Sequence, residues 1–137
     1  MSAIVLDCSV TMAWCFEDQA DAYSDRVLDA MARGEALVPC LWPLEVANVL
    51  LAAERRGLLK EADSARFLDL LSSLSILVDD SSFDRATGPV LAAAREHGLS
   101  SCDAAYLELS MRTGAPLATR DGDLRKACRA SGGRLFR

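Results

Sequence analysis

The sequence predicts an α/β domain with a five-stranded, mainly parallel sheet flanked by helices. Short apolar segments alternate along the chain with longer segments of helical periodicity. That alternation is typical of parallel sheets, because parallel neighbours are joined by helical crossovers. A length of 137 residues and an apolar content of 51% suit one globular unit. We therefore expect a single domain over residues 1–137.

The candidate strands are short and apolar, as strands buried on both faces tend to be. They are Ala3–Leu6, Ala36–Val38, Ile76–Val78, Pro116–Thr119 and Arg134–Phe136. The helical segments start at residues suited to a first turn and mostly end before glycine. They are one or two helices within Ser9–Arg33, followed by Pro43–Arg56, Glu61–Leu74, Asp84–His97, Cys102–Arg112 and Asp121–Ala130.

Composition restricts the class of protein. No apolar run reaches the roughly 18 residues of a membrane span, and the N-terminus lacks the features of a signal peptide. Five cysteines without a C-x-x-C pair argue against a disulfide framework or a zinc site, and they fit a reducing cytoplasm. We expect a cytoplasmic protein with no membrane association.

The net charge of −5 is unevenly distributed. Residues 1–111 hold 8 basic and 18 acidic side chains, whereas residues 112–137 hold 7 basic and 2 acidic ones. An acidic protein repels nucleic acid at long range. Any nucleic-acid binding must therefore be local or use bound cations.

Four acidic side chains are predicted to meet at one edge of the sheet. Asp7 and Asp121 directly follow strands, while Glu45 and Asp103 lie in the first turns of helices. Strand carboxyl ends and the N-termini of the following helices share one edge, where ligands bind. Taken singly, each acid is also explained as a helix cap or as a first-turn charge that favours the helix dipole.

Together the four carboxylates predict a metal site. Converging carboxylates raise one another's pKa, and a divalent cation that prefers oxygen, such as Mg²⁺, relieves the repulsion. One or two such ions can activate water and neutralise the charge of a phosphodiester. No histidine base is then needed, and His97 fits a structural position at a helix end.

Four segments of the chain resemble the PIN-domain family, and within it the VapC-type toxins of bacterial toxin–antitoxin pairs. In order they are IVLDCSV, LEVANVLLAAERRG, LSSCDAAYLELSMRTG and PLATRDGDLRKA, and they span nearly the whole chain. The resemblance implies a compact PIN-like domain around a five-stranded parallel sheet. It also implies a Mg²⁺- or Mn²⁺-dependent endoribonuclease that cuts RNA and is neutralised by a cognate antitoxin.

The resemblance also assigns roles to individual residues. It implies that the acids form one catalytic and metal-binding set, namely Asp7, Glu45, Asp103 and Asp121. It matches Ser9, Asn48 and Thr119 to polar residues that support the site. Asn48 lies three residues after Glu45, so the two share a helix face.

Two further surfaces are candidates for binding. Arginine suits phosphate because its planar fork binds two oxygens, and Arg120 and Arg125 lie nearest Asp121 in sequence. A solvated basic surface explains them equally well. The apolar breadth of Pro43–Arg56 and Glu61–Leu74 fits either core or interface. The resemblance favours a homodimer and an antitoxin groove.

Other α/β proteins with acids at strand ends fit less well. A phospho-acceptor receiver needs an acidic pair near the first strand and a lysine after a late one, and neither is present. A D-x-D phosphatase needs an acid where Ser9 stands. The remaining alternative is a catalytically silent PIN-like protein-interaction module, because a fold alone does not establish activity.

Overall fold

The computed structural model describes residues 2–137 and is centred on a parallel sheet. Its strands are β1 (Ala3–Leu6), β2 (Glu35–Val38), β3 (Ile76–Val78) and β4 (Leu117–Ala118), in the order β3-β2-β1-β4. All three strand pairs are parallel. The chain extends the sheet to one side of β1 and then crosses to the other side for β4. In parallel sheets, ligands bind at the carboxyl ends of the strands where the strand order reverses. In this sheet that point is the carboxyl end of β1.

Eight α-helices surround the sheet in the described residues. They are α1 (Cys8–Ala13), α2 (Ala22–Met31), α3 (Trp42–Arg55), α4 (Glu61–Ser72), α5 (Ser82–Arg85), α6 (Leu91–His97), α7 (Ser101–Thr113) and α8 (Gly122–Ala130). Gly98 and Gly114 end α6 and α7 in the left-handed conformation that glycine adopts without a steric penalty. No helix within residues 2–137 combines the length and apolar character that crossing a bilayer requires.

Helix α7 is the central helix of the domain. Residues Ala104 to Ser110 are buried without interruption, because α7 packs against β1, β4, α6 and α8. The adjoining core includes Val5 and Leu6 of β1, which are fully buried. This packing fixes the N-terminus of α7, and with it Asp103, relative to the end of β1.

The sheet has four strands instead of the five expected. The segment Arg134–Phe136 makes only an isolated parallel bridge, between Leu135 and Leu117. The Leu117 N–H donates to the Arg134 carbonyl at 2.8 Å, and the Phe136 N–H donates to the Leu117 carbonyl at 2.9 Å. Because β4 is only two residues long, it offers the segment Arg134–Phe136 a single pairing position, at Leu117.

The helix expected at Asp84–His97 is interrupted. Residues Ala86–Val90 form a π-helical turn between α5 and α6, with Pro89 inside it. Proline lacks an N–H, and its ring crowds the carbonyl four residues earlier, which here belongs to Arg85. A wider turn accommodates that crowding within an otherwise helical segment.

Candidate active site

Asp7 occupies the N-cap position of α1 at the end of β1, but its side chain does not cap the helix. Its Oδ2 instead accepts two hydroxyl hydrogen bonds, from Ser9 Oγ and Thr119 Oγ1, each at 2.7 Å. The residue is 6% exposed. Burial raises the pKa of Asp7, the two hydroxyls lower it, and the nearby Asp121 carboxylate raises it.

The same two hydroxyls connect Asp7 to the segment that follows β4. Thr119 Oγ1 accepts the backbone N–H of Asp121 at 3.1 Å, and Ser9 Oγ accepts that of Arg120 at 3.1 Å. Each hydroxyl therefore donates to a carboxylate and accepts from this segment. The arrangement fixes Asp7 and Asp121 relative to one another.

Asp121 is both a helix cap and a member of the acidic group. Its Oδ1 accepts the Leu124 N–H at 3.0 Å and so caps α8. No hydrogen bond to Oδ2 is found within residues 2–137. Capping therefore uses one carboxylate oxygen and leaves the other available to a ligand.

Glu45, in the first turn of α3, accepts a hydrogen bond from the buried hydroxyl of Tyr106. Burial raises the pKa of Glu45, the Tyr106 bond lowers it, and the charges of Asp7 and Asp103 raise it. Tyr106 is not among the site residues expected from the sequence. Its position three residues after Asp103, on the same face of α7, is the signal that could have identified it.

Asp103 lies at the third position of α7. Its backbone N–H donates to Ser100 Oγ at 3.1 Å, but its carboxylate returns no bond to the Ser100 backbone, so a capping box is not formed. Burial raises the pKa of Asp103, the charges of Asp7 and Asp121 raise it further, and a hydrogen bond with the Ser100 side chain lowers it. The carboxylate therefore contacts the cap residue without bonding the Ser100 backbone.

The four carboxylates influence one another and lack cationic partners. Within residues 2–137, no Lys, Arg or His side chain forms an ion pair with any of them. Elsewhere the chain does neutralise buried acids: Glu108, 8% exposed, pairs with Arg85 at 2.6 Å and with Arg112 at 2.9 Å. Arg112 also pairs with Asp79 at 2.6 Å. The charges of the four carboxylates near the end of β1 are therefore not neutralised by basic side chains, unlike those of Glu108 and Asp79.

The donors at this edge are oxygens. Burial raises the pKa of the Cys8 thiol to about 12, and the charges of Glu45 and Asp7 add to the effect. In the metal-free protein the Cys8 thiol is therefore protonated at neutral pH. In the part of the chain that the structure describes, no three His, Cys, Asp or Glu side chains are gathered closely enough to hold one metal ion.

The structure does not bring Asn48 to the carboxylates. Asn48 is exposed on α3 and lines a groove with residues that include Trp14 and Phe67. It makes no side-chain hydrogen bond within residues 2–137, so its supporting role stays a prediction. His97 also lies away from the acids, with its Nε2 3.0 Å from Ser131 Oγ.

Arg120 and Arg125 flank the acidic group without contacting its carboxylates. Arg120 pairs with Asp21 at 2.9 Å, and Arg125 donates to the Thr119 carbonyl at 2.9 Å. Together with Ser9, Asp21, Tyr23, Thr119 and Asp121 they line an open cavity of about 620 Å³. Both side chains therefore line the same open cavity as Ser9 and Asp121.

Residues 4–130 match the PIN domain, and the chain belongs to the PIN-domain family. It is 29% identical over 121 residues to Ribonuclease VapC3 of Pyrobaculum aerophilum, covering 88% of this chain and 91% of that protein. The crystal structure of PAE2754 from Pyrobaculum aerophilum superposes with a TM-score of 0.67 at 27% identity, over 92% of this chain and 86% of that one. VapBC2 from Rickettsia felis, bound to a DNA fragment from its promoter, shares the fold, with a TM-score of 0.70 at 14% identity over 98% and 97% of the two chains.

Proposed function

We propose that this protein is a metal-dependent endoribonuclease toxin of the cytoplasm that hydrolyses RNA phosphodiester bonds and is neutralised by a cognate antitoxin. One observation carries the proposal: four carboxylates near the carboxyl end of β1 act on one another through their charges and have no cationic partner within residues 2–137. They are Asp7, Glu45, Asp103 and Asp121. The similarity to Ribonuclease VapC3 along most of both chains supports RNA as the substrate.

The donor set fits Mg²⁺ or Mn²⁺, which prefer oxygen ligands. Mg²⁺ is commonly held by one or two carboxylates and keeps several waters. That mode suits an edge at which no three acidic side chains of the described residues are gathered around one point. When bound, the ion supplies a water of lowered pKa and neutralises phosphate charge.

The chain's own contribution is to hold anionic oxygens in place. Ser9 and Thr119 hold Oδ2 of Asp7, and Tyr106 holds Oε1 of Glu45, so each carboxylate keeps one oxygen free of these hydroxyls. The hydroxyl bonds lower both pKa values against the effect of burial, which favours the ionised forms that a cation binds. Supporting polar groups of this kind orient metal ligands.

A circular RNA tests the activity, because only an endonuclease can open a circle. We expect the purified protein to linearise it with Mg²⁺ or Mn²⁺ and not with excess EDTA. Asp103→Asn should abolish the cut, while the matched control Asp69→Asn, on the exposed face of α4, should cut like the wild type. An Asp103→Asn protein that cuts at the wild-type rate would contradict the assignment.

The silent interaction module is separated from the nuclease by metal binding. Mn²⁺ should raise the melting temperature of the wild type and of Asp69→Asn, because a ligand that binds only the folded state stabilises it. It should have a smaller effect on Asp103→Asn. No response in any of the three proteins would favour the silent module. For an active enzyme, sequencing the 5′ ends of cellular RNA after induced expression would identify the target.

Exposed apolar side chains on α3 and α4 support the proposed homodimer. Leu44 is 75% exposed, and Leu51, Leu68 and Leu70 are 42%, 48% and 40% exposed. Exposed apolar surface of this extent is typical of protein interfaces. We expect the isolated toxin to self-associate through these two helices.

A groove of about 920 Å³ lies beside the same helices and suits an antitoxin segment. Its lining combines apolar side chains such as Phe16 and Leu58 with the acidic residues Asp18 and Asp63. A segment with apolar and basic side chains would complement it. A basic antitoxin side chain that reached the carboxylates would displace the metal, so inhibition should weaken as Mn²⁺ concentration rises.

A further inference from the structure

A second cavity near the acidic group is lined by arginines. It measures about 750 Å³ and lies between α2, α8 and the last residues of the chain. Five of the chain's fifteen basic residues line it, namely Arg26, Arg125, Arg129, Arg134 and Arg137. No acidic residue is among its lining residues. We call it the arginine cavity.

The five guanidinium groups are not neutralised by the protein. None of them forms an ion pair within residues 2–137, whereas Arg85, Arg112 and Arg120 do. Arg125 and Arg129 are four residues apart on α8, a spacing at which like charges repel. Uncompensated positive charge concentrated in a concave surface, on a protein of net charge −5, favours an anionic ligand.

Tyr23 holds part of this charge in position before any ligand binds. The guanidinium carbons of Arg26 and Arg125 lie 5.6 and 5.2 Å from the centre of its ring, within cation–π range. The Tyr23 hydroxyl donates to the Phe136 carbonyl at 2.9 Å, and the two rings pack edge to face with centroids 6.3 Å apart. Side chains ordered in advance lower the entropic cost of binding.

The arginine cavity adjoins the candidate active site. Tyr23 and Arg125 line both it and the open cavity that contains Ser9 and Asp121. A chain-like ligand placed at Asp121 can therefore continue past Arg125 into the arginine cavity. The positive charge of the arginine cavity therefore lies along the path of such a ligand, beside the carboxylates and not at them.

We propose that the arginine cavity binds phosphates of an unpaired RNA strand that extends from the carboxylates, away from the bond that is cut. The proposal rests on the proposed function and adds a binding site for the substrate. The volume of about 750 Å³ lies within the range of roughly 300–1,000 Å³ that is typical of ligand pockets, so the cavity has room for nucleotides of a single strand and is too small to enclose a duplex. Guanidinium groups bind phosphate through two oxygens and also stack on bases.

The test is binding of a labelled single-stranded RNA oligonucleotide in EDTA, over a range of salt concentrations, by Arg129→Gln/Arg137→Gln. Both side chains are exposed, so the substitutions should preserve the fold. Each lost phosphate contact should reduce the salt slope by about 0.7 for single strands, or about 1.4 in total. The dissociation constant at 0.1 M salt should rise roughly 25-fold.

The control is Arg55→Gln/Arg95→Gln, which removes the same charge from two exposed arginines outside the cavity. It should bind RNA almost as the wild type does. An unchanged salt slope in Arg129→Gln/Arg137→Gln, or an equal loss in the control, would overturn the proposal. So would stronger binding of a duplex of the same length, or a cavity variant that loses only antitoxin binding. The binding measurement in EDTA does not depend on cleavage. A protein that fails to cut RNA would therefore refute the nuclease assignment, while the RNA-binding result would still test the arginine cavity.

Discussion

Thr119→Val removes the hydroxyl that joins two of the site's acids and keeps the shape of the side chain. In the wild type, Thr119 Oγ1 donates to Asp7 Oδ2 at 2.7 Å and accepts the Asp121 N–H at 3.1 Å. Thr119 is fully buried, so water cannot readily replace the lost partner. We expect the variant to fold with lower stability and weaker metal binding.

The size of the effect follows from the two hydrogen bonds. A hydrogen bond to a charged group is worth about 1.5–3 kcal/mol, and the second bond about 1 kcal/mol. The added methyl of valine offsets about 0.8 kcal/mol when buried. The free energy of unfolding should therefore fall by about 2–3 kcal/mol. For a chain of 137 residues, this corresponds to a decrease in melting temperature of roughly 6–15 °C.

The loss should depend on pH with a defined sign. Burial raises the pKa of Asp7 in the folded state, and the Thr119 hydroxyl partly lowers it. A carboxyl with a raised folded pKa contributes stability at low pH that is lost as pH rises through that pKa. Removing the hydroxyl raises the pKa of Asp7 further. The difference between variant and wild type should be largest at pH 8 and should shrink as Asp7 becomes protonated.

The assay is urea unfolding in EDTA at pH 8 and at pH 4, followed by Mn²⁺ titration of the folded proteins. Loss of a group that orients a metal ligand should weaken Mn²⁺ binding roughly 10- to 100-fold. Thr113→Val is the matched control, because the Thr113 hydroxyl also joins two groups, the Leu109 carbonyl and the Ala115 N–H, at the far end of α7. It should leave Mn²⁺ affinity unchanged. Wild-type stability and Mn²⁺ affinity in Thr119→Val would refute the reasoning.

Four further outcomes are expected. Asp7→Asn and Asp103→Asn should abolish RNA cleavage. Asp103→Asn should also raise the melting temperature of the metal-free protein at pH 8, because it removes a repelling charge. A lower melting temperature would argue against mutual repulsion. Arg120→Gln/Arg125→Gln should flatten the salt dependence of RNA binding while Mn²⁺ binding survives; an unchanged slope would place the guiding charge elsewhere. Asn48→Ala should weaken Mn²⁺ binding roughly 10- to 100-fold, the loss typical of a group that orients a metal ligand; unchanged affinity would show that the exposed Asn48 does not support the site. Analytical ultracentrifugation at micromolar concentration should show a dimer, and a monomer alone would count against the interface on α3 and α4.

The parallel sheet was predictable because its central strands are short, apolar and buried on both faces. The predicted Ala3–Leu6 and Ile76–Val78 match β1 and β3, and the other two predicted strands agree with β2 and β4 to within one residue at each end. The Arg134–Phe136 segment has the same apolar pattern but forms only a bridge. The extent of its pairing depends on the length of the neighbouring strand β4, and the sequence of residues 134–136 carries no information about that length.

Side-chain partners were less predictable than positions. The strand-end rule placed Asp7 and Asp121 at one edge, and the same rule placed Glu45 and Asp103 beside them. It could not show that Tyr106 donates to Glu45, because that contact joins residues 61 positions apart. The convergence of arginines from α2, α8 and the last residues was hidden for the same reason, although the excess of basic residues after residue 111 was visible.

The remaining ambiguity in the sequence concerned whether the acids cap helices or bind a ligand, and it arises because both roles occupy the same edge of an α/β domain. Hydrogen bonds and charge separate the two. Asp7 stands at an N-cap and does not cap, Asp103 has capping-box spacing and forms no box, and Asp121 caps with one oxygen only. A cap is satisfied by backbone N–H groups and needs no second acid nearby. These carboxylates keep free oxygens, lie close enough to raise the pKa of Asp7, Glu45 and Asp103, and have no cation beside them within residues 2–137. Such an arrangement destabilises the protein unless a positively charged ligand binds, which is why the site, more than the fold, supports the nuclease assignment.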